Sequence, residues 1–336
     1  MQTQLKSRTR PAPVVLVSIL AVLLGGCAVY YWFDSSLASS KVINERPTPK
    51  FEIPEKIPGT KYLQFVAVGD VGTGAGGQRD VAEAMAAKAT QELISFVLFL
   101  GDNFYEYGVS SVYDPQWTSA FVDIYDQPSL QVTFYAVLGN HDYRSNPQAQ
   151  VDYTRLSKRW RMPDRSYTFT RRIDDSTAVQ FFCLDTDPLA YLSIGSAKAL
   201  NDTGKELQQL RWLERELSES KARWKIALGH HTVYSGGEHG DNEVMQYLLE
   251  PLFTKYGVDF YLAGHDHHLE LLKPISGVNY VISGAGGKHR DVRWRDNTVY
   301  AATNLGFTYF RVSSHALVLE FLSRNGVLRY AHTFRK

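Results

Sequence analysis

The sequence predicts one α/β domain set behind an N-terminal transmembrane helix. Three observations predict it. A long uncharged apolar run follows a basic N-terminal flank. Short strand-like runs then alternate with helix-patterned segments, as they do in α/β domains. Those runs end repeatedly in Gly followed by a residue type that binds metal, and ligands of open α/β sheets gather beyond the carboxyl ends of the strands.

Lys6, Arg8 and Arg10 precede Val14–Phe33, a stretch without a charged side chain. About 20 apolar residues cross a bilayer as a helix, and the basic flank predicts the N-terminus inside and the rest of the chain outside. The aromatic end, Tyr30-Tyr31-Trp32-Phe33, suits a membrane interface. Two other readings stay open. One is a cleaved secretory signal. The other is a lipoprotein, since Leu24-Gly25-Gly26-Cys27 looks like a bacterial lipoprotein cleavage site that leaves a lipid on Cys27. All three export the remainder of the chain, so the expected location is membrane-anchored with the domain on the periplasmic or extracellular side.

After this basic flank and anchor (1–33), residues 34–59 are rich in Ser, Pro, Lys and Glu with no apolar period and read as a linker. Residues 60–336 read as one domain. Its strand candidates are Tyr62–Val68, Ile94–Leu100, Val132–Leu138, Val179–Leu184, Trp224–Leu228 and Phe260–Leu262, then Tyr280–Ile282, Thr308–Val312, Leu317–Phe321 and Val327–Ala331. Gln78–Leu93 and Thr203–Ser220 read as helices. The second carries Leu207, Leu210, Leu213 and Leu217 on one core-facing stripe, and Thr203 with Glu206 has capping-box spacing.

Hydrophobic residues at 44% and charged residues at 21% are the composition of a globular chain. A formal net charge of +1 argues against a broad basic surface for nucleic acid, so an anionic ligand needs a local site. Cys27 and Cys183 are not expected to pair, and Cys183 is expected to pack as a small hydrophobe.

The chemistry sits at the strand ends: Gly69-Asp70, Gly101-Asp102, Gly139-Asn140, Gly229-His230 and Gly264-His265. One Gly-Asp after a strand is commonly just a turn; five endings on successive apolar runs form a pattern. His141, His230, His231, His239, His265, His267 and His268 fall in or beside these endings, whereas His315 and His332 lie away from them and read as structural. Imidazoles clustered with carboxylates are what a metal site demands.

Asp70-Val71-Gly72, Gly101-Asp102-Asn103-Phe104-Tyr105, Gly139-Asn140-His141-Asp142, Gly229-His230-His231 and Gly264-His265-Asp266-His267 resemble the five ligand blocks of the calcineurin-like metallophosphoesterases. Tyr105, three residues after Asp102, narrows the resemblance to purple acid phosphatases. The short catalytic domain, with Ser235-Gly236-Gly237-Glu238-His239-Gly240 after the fourth block, is similar to the tartrate-resistant acid phosphatase type. The resemblance covers essentially all of 60–336, and no ligand position is missing from it.

It implies a four-layer αββα sandwich, two β-sheets face to face with helices outside. It implies a ferric ion on Asp70, Asp102, Tyr105 and His267, and a divalent ion (iron, zinc or manganese) on Asp102, Asn140, His230 and His265, with Asp102 bridging. The implied reaction is hydrolysis of a small phosphomonoester by metal-bound hydroxide. The residue types suit this. A bridging carboxylate sets the separation of roughly 3.5–4 Å that in-line displacement needs. A phenol with a pKa of about 10 ionises readily only beside a strong cation. His141 and His239, at positions where histidines of the resembling enzymes contact substrate, are the catalytic candidates. Asp142 and Asp266 are expected to orient histidines or cap turns, and His231 and His268 to sit beside ligands. Lys288, His289 and Arg290 can line the substrate mouth, although a solvated charge run is the simpler reading. Two alternatives share the sequence: another phosphoesterase specificity (phosphodiesterase, nucleotide pyrophosphatase or phosphoprotein phosphatase), and a membrane-held structural protein that keeps the fold without catalysis. The oligomeric state is left open.

Overall fold

Leu63–Val68, Phe96–Leu100, Thr133–Val137 and Trp160–Arg161 pair in parallel, in that order. The first three are near-continuous apolar runs, as parallel strands covered on both faces must be. In the computed structural model, which describes residues 41–198 and 204–336, the four make up one side of a seven-stranded sheet. Gly306–Val312, Ala316–Ser323 and Leu328–Arg335 extend it antiparallel from Leu63–Val68. A second seven-stranded sheet has its own parallel centre, Ala178–Cys183, Trp224–Leu228, Phe260–Ala263 and Asn279–Ser283. Antiparallel Tyr167–Arg172 closes one edge, and Leu269–Leu272 with Thr298–Ala302 the other.

Strand alternation divides the residues of the second sheet between two cores. Val179, Phe181, Cys183, Trp224, Ile226, Leu228, Phe260 and Leu262 turn inward and join the first sheet's side chains in one cluster. Phe65 and Phe96 meet Phe181 edge-on at 5.3 and 5.4 Å between ring centres. Phe182, Ala227 and Tyr261 turn outward, to a second cluster containing Leu210, Leu213 and Leu217 of the helix Lys205–Glu219 and Met245, Leu249 and Phe253 of the helix Glu243–Tyr256. The helix Gly76–Gln91 buries Val81, Ala82 and Met85 in the first cluster. The fold is thus a mixed α/β one whose sheets are flanked by helices. Cys183 is a buried free thiol.

Several expectations shift. The strand expected over Val327–Ala331 runs to Arg335. The helix expected from Thr203 begins at Lys205 behind Gly204, which offers no side-chain cap; Thr203 lies outside the described residues. Glu243–Tyr256 was not expected as a helix because Pro251 interrupts its pattern. Its ends are nonetheless well signalled. The Asn242 side chain accepts from Val244 and Met245 N–H groups, and Gly257 closes it in the left-handed conformation.

Residues 41–59 of the segment read as a linker are described, and they lie on the domain. Val42–Ile43 pairs in parallel with Val292–Arg293, Phe51 packs edge-on against Tyr330, and Arg311 donates to the Pro54 carbonyl. The apolar run Val14–Phe33 lies outside the described residues. Among those described, no helix is long and apolar enough to cross a membrane.

Candidate metal centre

The five Gly-ended strands come from the parallel centres of both sheets, and their carboxyl ends meet. Gly69 N–H donates to the Ser283 carbonyl (2.7 Å) and His265 N–H to Asp70 Oδ2 (2.9 Å), so the sheets are joined where the site begins. The glycines answer to that crowding. A Cβ on Gly139 would lie 2.3 Å from both the backbone nitrogen and Oδ1 of Asp102, and one on Gly101 2.6 Å from the His230 ring. Asp70, Asp102 and His265 themselves adopt left-handed backbone (φ 58°, 51° and 69°), a strained conformation concentrated at functional sites.

All seven expected ligands converge, in two groups. Asp70 Oδ1, the Tyr105 hydroxyl and His267 Nε2 lie 3.0, 3.2 and 3.3 Å from one another. His230 Nε2 lies 3.1 Å from Asn140 Oδ1, 3.2 Å from His265 Nδ1 and 3.5 Å from Asp102 Oδ1. Asp102 stands between the groups, close to Tyr105 as well as His230. One donor atom from each of Asp70, Asp102 and His230 falls within 4.8 Å of the others, and all three residues are buried.

Three observations say that cations fit here. Ligand atoms about 2.0–2.2 Å from one ion stand roughly 3–3.5 Å apart, which is the spacing within each group. His230 Nδ1 must donate to the Leu100 carbonyl (2.9 Å), since a carbonyl only accepts. The lone pair of the neutral ring is therefore on Nε2, aimed at Asn140, His265 and Asp102. Finally, the electrostatics lack a positive centre. Burial, Asp102 and Asp70 hold the Tyr105 phenol well above its ordinary range. Burial opposes charge on His230, yet Asp102 and Asp70 outweigh it and raise its pKa. The same field that draws a proton to His230 draws a metal ion.

The remaining expected residues surround this cluster. His141 Nδ1 donates to the Glu106 carbonyl (2.7 Å), leaving Nε2 3.9 Å from Asp102 Oδ2. His239 stacks on His265 with 3.9 Å between ring centres, and its Nε2 accepts from Arg290 Nη1 (3.0 Å). Asp142, fully buried, accepts from the backbone of Gly139, Asn103 and Phe104, fastening two ligand loops together. Asp266 accepts from Ser235 Oγ and His239 N–H, holding the loop that bears His239. His231 pairs with Thr186 (2.9 Å) and His268 with buried Glu270 (3.1 Å). His332 pairs with Tyr330 (3.0 Å), away from the centre. Of the charge run, Lys288 lies 3.9 Å over the Tyr105 ring and Arg290 lies against His239, so both border the cluster. Glu106 and Glu238, their acidic partners, were not singled out from sequence; position next to Tyr105 and His239 was the only available signal.

Comparison with known proteins places the chain in a family. Residues 63–269 match the family model of the calcineurin-like phosphoesterases. The chain is 35% identical over 289 residues to tartrate-resistant acid phosphatase type 5 of Oryctolagus cuniculus, covering 80% of this chain and 89% of the relative. It is 36% identical over 259 residues to purple acid phosphatase 17 of Arabidopsis thaliana, covering 74% of each. In fold it is similar to the solved structure of GAP50, the anchor in the inner membrane complex of Plasmodium (TM-score 0.73, 24% identity, 82% and 89% covered). The chain belongs to the calcineurin-like phosphoesterases, among the purple acid phosphatases of the tartrate-resistant type.

Proposed function

We propose that the chain is an acid phosphatase that hydrolyses small phosphomonoesters, with a ferric ion held by Asp70, Asp102, Tyr105 and His267. A divalent ion, iron, zinc or manganese, is held by Asp102, Asn140, His230 and His265. The observation that carries the reading is the division of donor atoms into two close-set groups on either side of Asp102. The first joins the phenol and a carboxylate to one imidazole, and the second is made mainly of neutral imidazole and amide donors, which suits a trivalent and a divalent ion respectively. When bound, the two ions supply Lewis-acid polarisation of the phosphoryl group and an acidified water.

The chain's own residues do the rest. Asp70, Asp102 and Asn140 are fixed by backbone and by the buried Asp142 carboxylate, so the donor set is organised before any ligand arrives. Protonated His141 carries its second proton on Nε2, the nitrogen turned toward the cluster, from which it can donate to a phosphate oxygen or the departing alkoxide. His239 accepts at Nε2 from a guanidinium that has no lone pair to offer. It orients substrate, and proton donation falls to His141. The N-terminal run tethers the domain on the extracytoplasmic side of a membrane.

The test uses the full-length protein in detergent. Metal analysis is expected to find two ions per chain including iron, with a visible absorption band that Tyr105→Phe removes. Aryl phosphate should turn over at acid pH far faster than an aryl phosphodiester. A colourless, iron-free and fully active preparation overturns the ferric assignment, and turnover that survives removal of the metals overturns the phosphatase reading.

A further inference from the structure

Around the centre, without entering it, two cationic side chains are each paired with an acid. Both cations come from the loop that follows Ser283, and this loop hangs on the site because Arg290 N–H donates to the His267 carbonyl (2.9 Å). Lys288 Nζ lies over the Tyr105 ring and 2.6 Å from Glu106 Oε1, on the side of His141. Arg290 reaches His239 Nε2 and lies 3.5 Å from Glu238 Oε2, on the side of His265. The side chains of Glu106 and Glu238 are 52% and 58% exposed, and ion pairs so open to water hold their members weakly. An anion arriving with substrate can replace either carboxylate at little cost.

We infer that Lys288 and Arg290 form a cationic rim that binds a second anionic group of the substrate, a phosphate or carboxylate carried beside the scissile phosphate. Glu106 and Glu238 hold the two side chains in position between turnovers. The inference rests on the phosphatase reading and names a substrate class for it: phosphomonoesters that bear a further negative charge. The chain's net charge is only +1, so this selectivity is local rather than a long-range field. Arg290 offers a planar fork and Lys288 a mobile point charge, a pair that accommodates either carboxylate or phosphate.

The experiment compares kcat/KM of the metal-loaded full-length protein on three substrates: 3-carboxyphenyl phosphate, 3-phosphonophenyl phosphate and the uncharged 3-carbamoylphenyl phosphate. Wild type is expected to favour the charged substrates about tenfold through KM, and the larger of the two ratios identifies which anion the rim prefers. Lys288→Ala and Arg290→Ala should each lower the ratio, and the double variant should bring it near one. Lys288→Arg should retain it. Because the ratio is taken within one preparation, a partly misfolded variant does not move it. A ratio near one in wild type, or one that survives the double variant, overturns the rim while leaving the phosphatase reading intact. Absence of turnover on all three substrates overturns that reading, and the rim with it.

Discussion

Asp185 shows how a single buried acid beside the site shapes the stability of the whole domain. Its Oδ2 accepts from the Tyr143 hydroxyl at 2.5 Å, and its Oδ1 is buried without a partner. Burial raises its pKa from 3.8 to about 6, against the pull of Tyr143 and Arg165. The folded chain therefore keeps a proton that the unfolded chain has already lost. Stability contributed by this group is present below pH 3.8 and falls as pH rises toward about 6, by an amount on the order of 3 kcal/mol. Urea unfolding of wild type and Asp185→Asn at a series of pH values should show the slope between pH 4 and 6 flattened in the variant; parallel curves would contradict it. Nothing in the sequence marks Asp185, because its shift comes from burial that only the fold creates, and Tyr143 and Arg165 offset it only in part. The residues that converge at the strand ends were legible by contrast. A metal site needs rare residue types at fixed points, and Gly69-Asp70, Gly101-Asp102 and Gly264-His265 spell them out. The left-handed backbone at Asp70, Asp102 and His265 was not legible, since no side chain announces it.

At the scale of elements, the short strand Val42–Ile43 has an effect out of proportion to its length. It pairs with Val292–Arg293, just beyond Lys288 and Arg290. Val292 N–H donates to the Lys41 carbonyl (3.3 Å), Trp294 N–H to the Ile43 carbonyl (2.8 Å), and Lys41 N–H to Asp291 Oδ1 (2.6 Å). Val42 packs against Val292, Trp294 and Ala301. The segment between the N-terminal run and the domain thus fastens the loop that borders the metal centre. Deleting residues 41–46 removes these three hydrogen bonds, worth roughly 1 kcal/mol each net of exchange with water, together with the exposed Arg46–Asp296 pair (2.7 Å). Amide exchange over 288–296 should quicken by about 10–100-fold, with KM rising for the charged aryl phosphates; unchanged exchange there would refute the fastening. Sequence pattern hid this strand because two residues carry no period, and the Pro- and Lys-rich surroundings read as linker. The long parallel strands were readable because both of their faces are covered, which makes them continuous apolar runs. The antiparallel strands Leu269–Leu272 and Thr298–Ala302 were missed: they are short and close the rim of a sheet whose centre is defined elsewhere.

For the whole molecule, the placement of the candidate ligands determines how metal and fold would depend on each other. Asp70, Asp102, Tyr105 and Asn140 follow strands of the first sheet, and His230, His265 and His267 follow strands of the second. Each of the two donor groups takes members from both sheets: His267 joins Asp70 and Tyr105, and Asn140 with Asp102 joins His230 and His265. Cations bound there would cross-link the two halves of the core, whereas the unfolded chain scatters the same donors over nearly two hundred residues of sequence. Binding to the folded state alone stabilises it by about 4 kcal/mol at a thousandfold excess over the dissociation constant, and in a domain of this size that corresponds to a shift of roughly 5–8 °C in Tm. Calorimetry of the full-length protein before and after chelation should show a loss of this order. In Asp102→Ala, whose carboxylate stands between both groups, chelation should move Tm much less. A wild-type Tm indifferent to chelator would mean that the ions contribute nothing to holding the sheets together. The donor atoms would then owe their 3.0–3.5 Å spacing to packing alone.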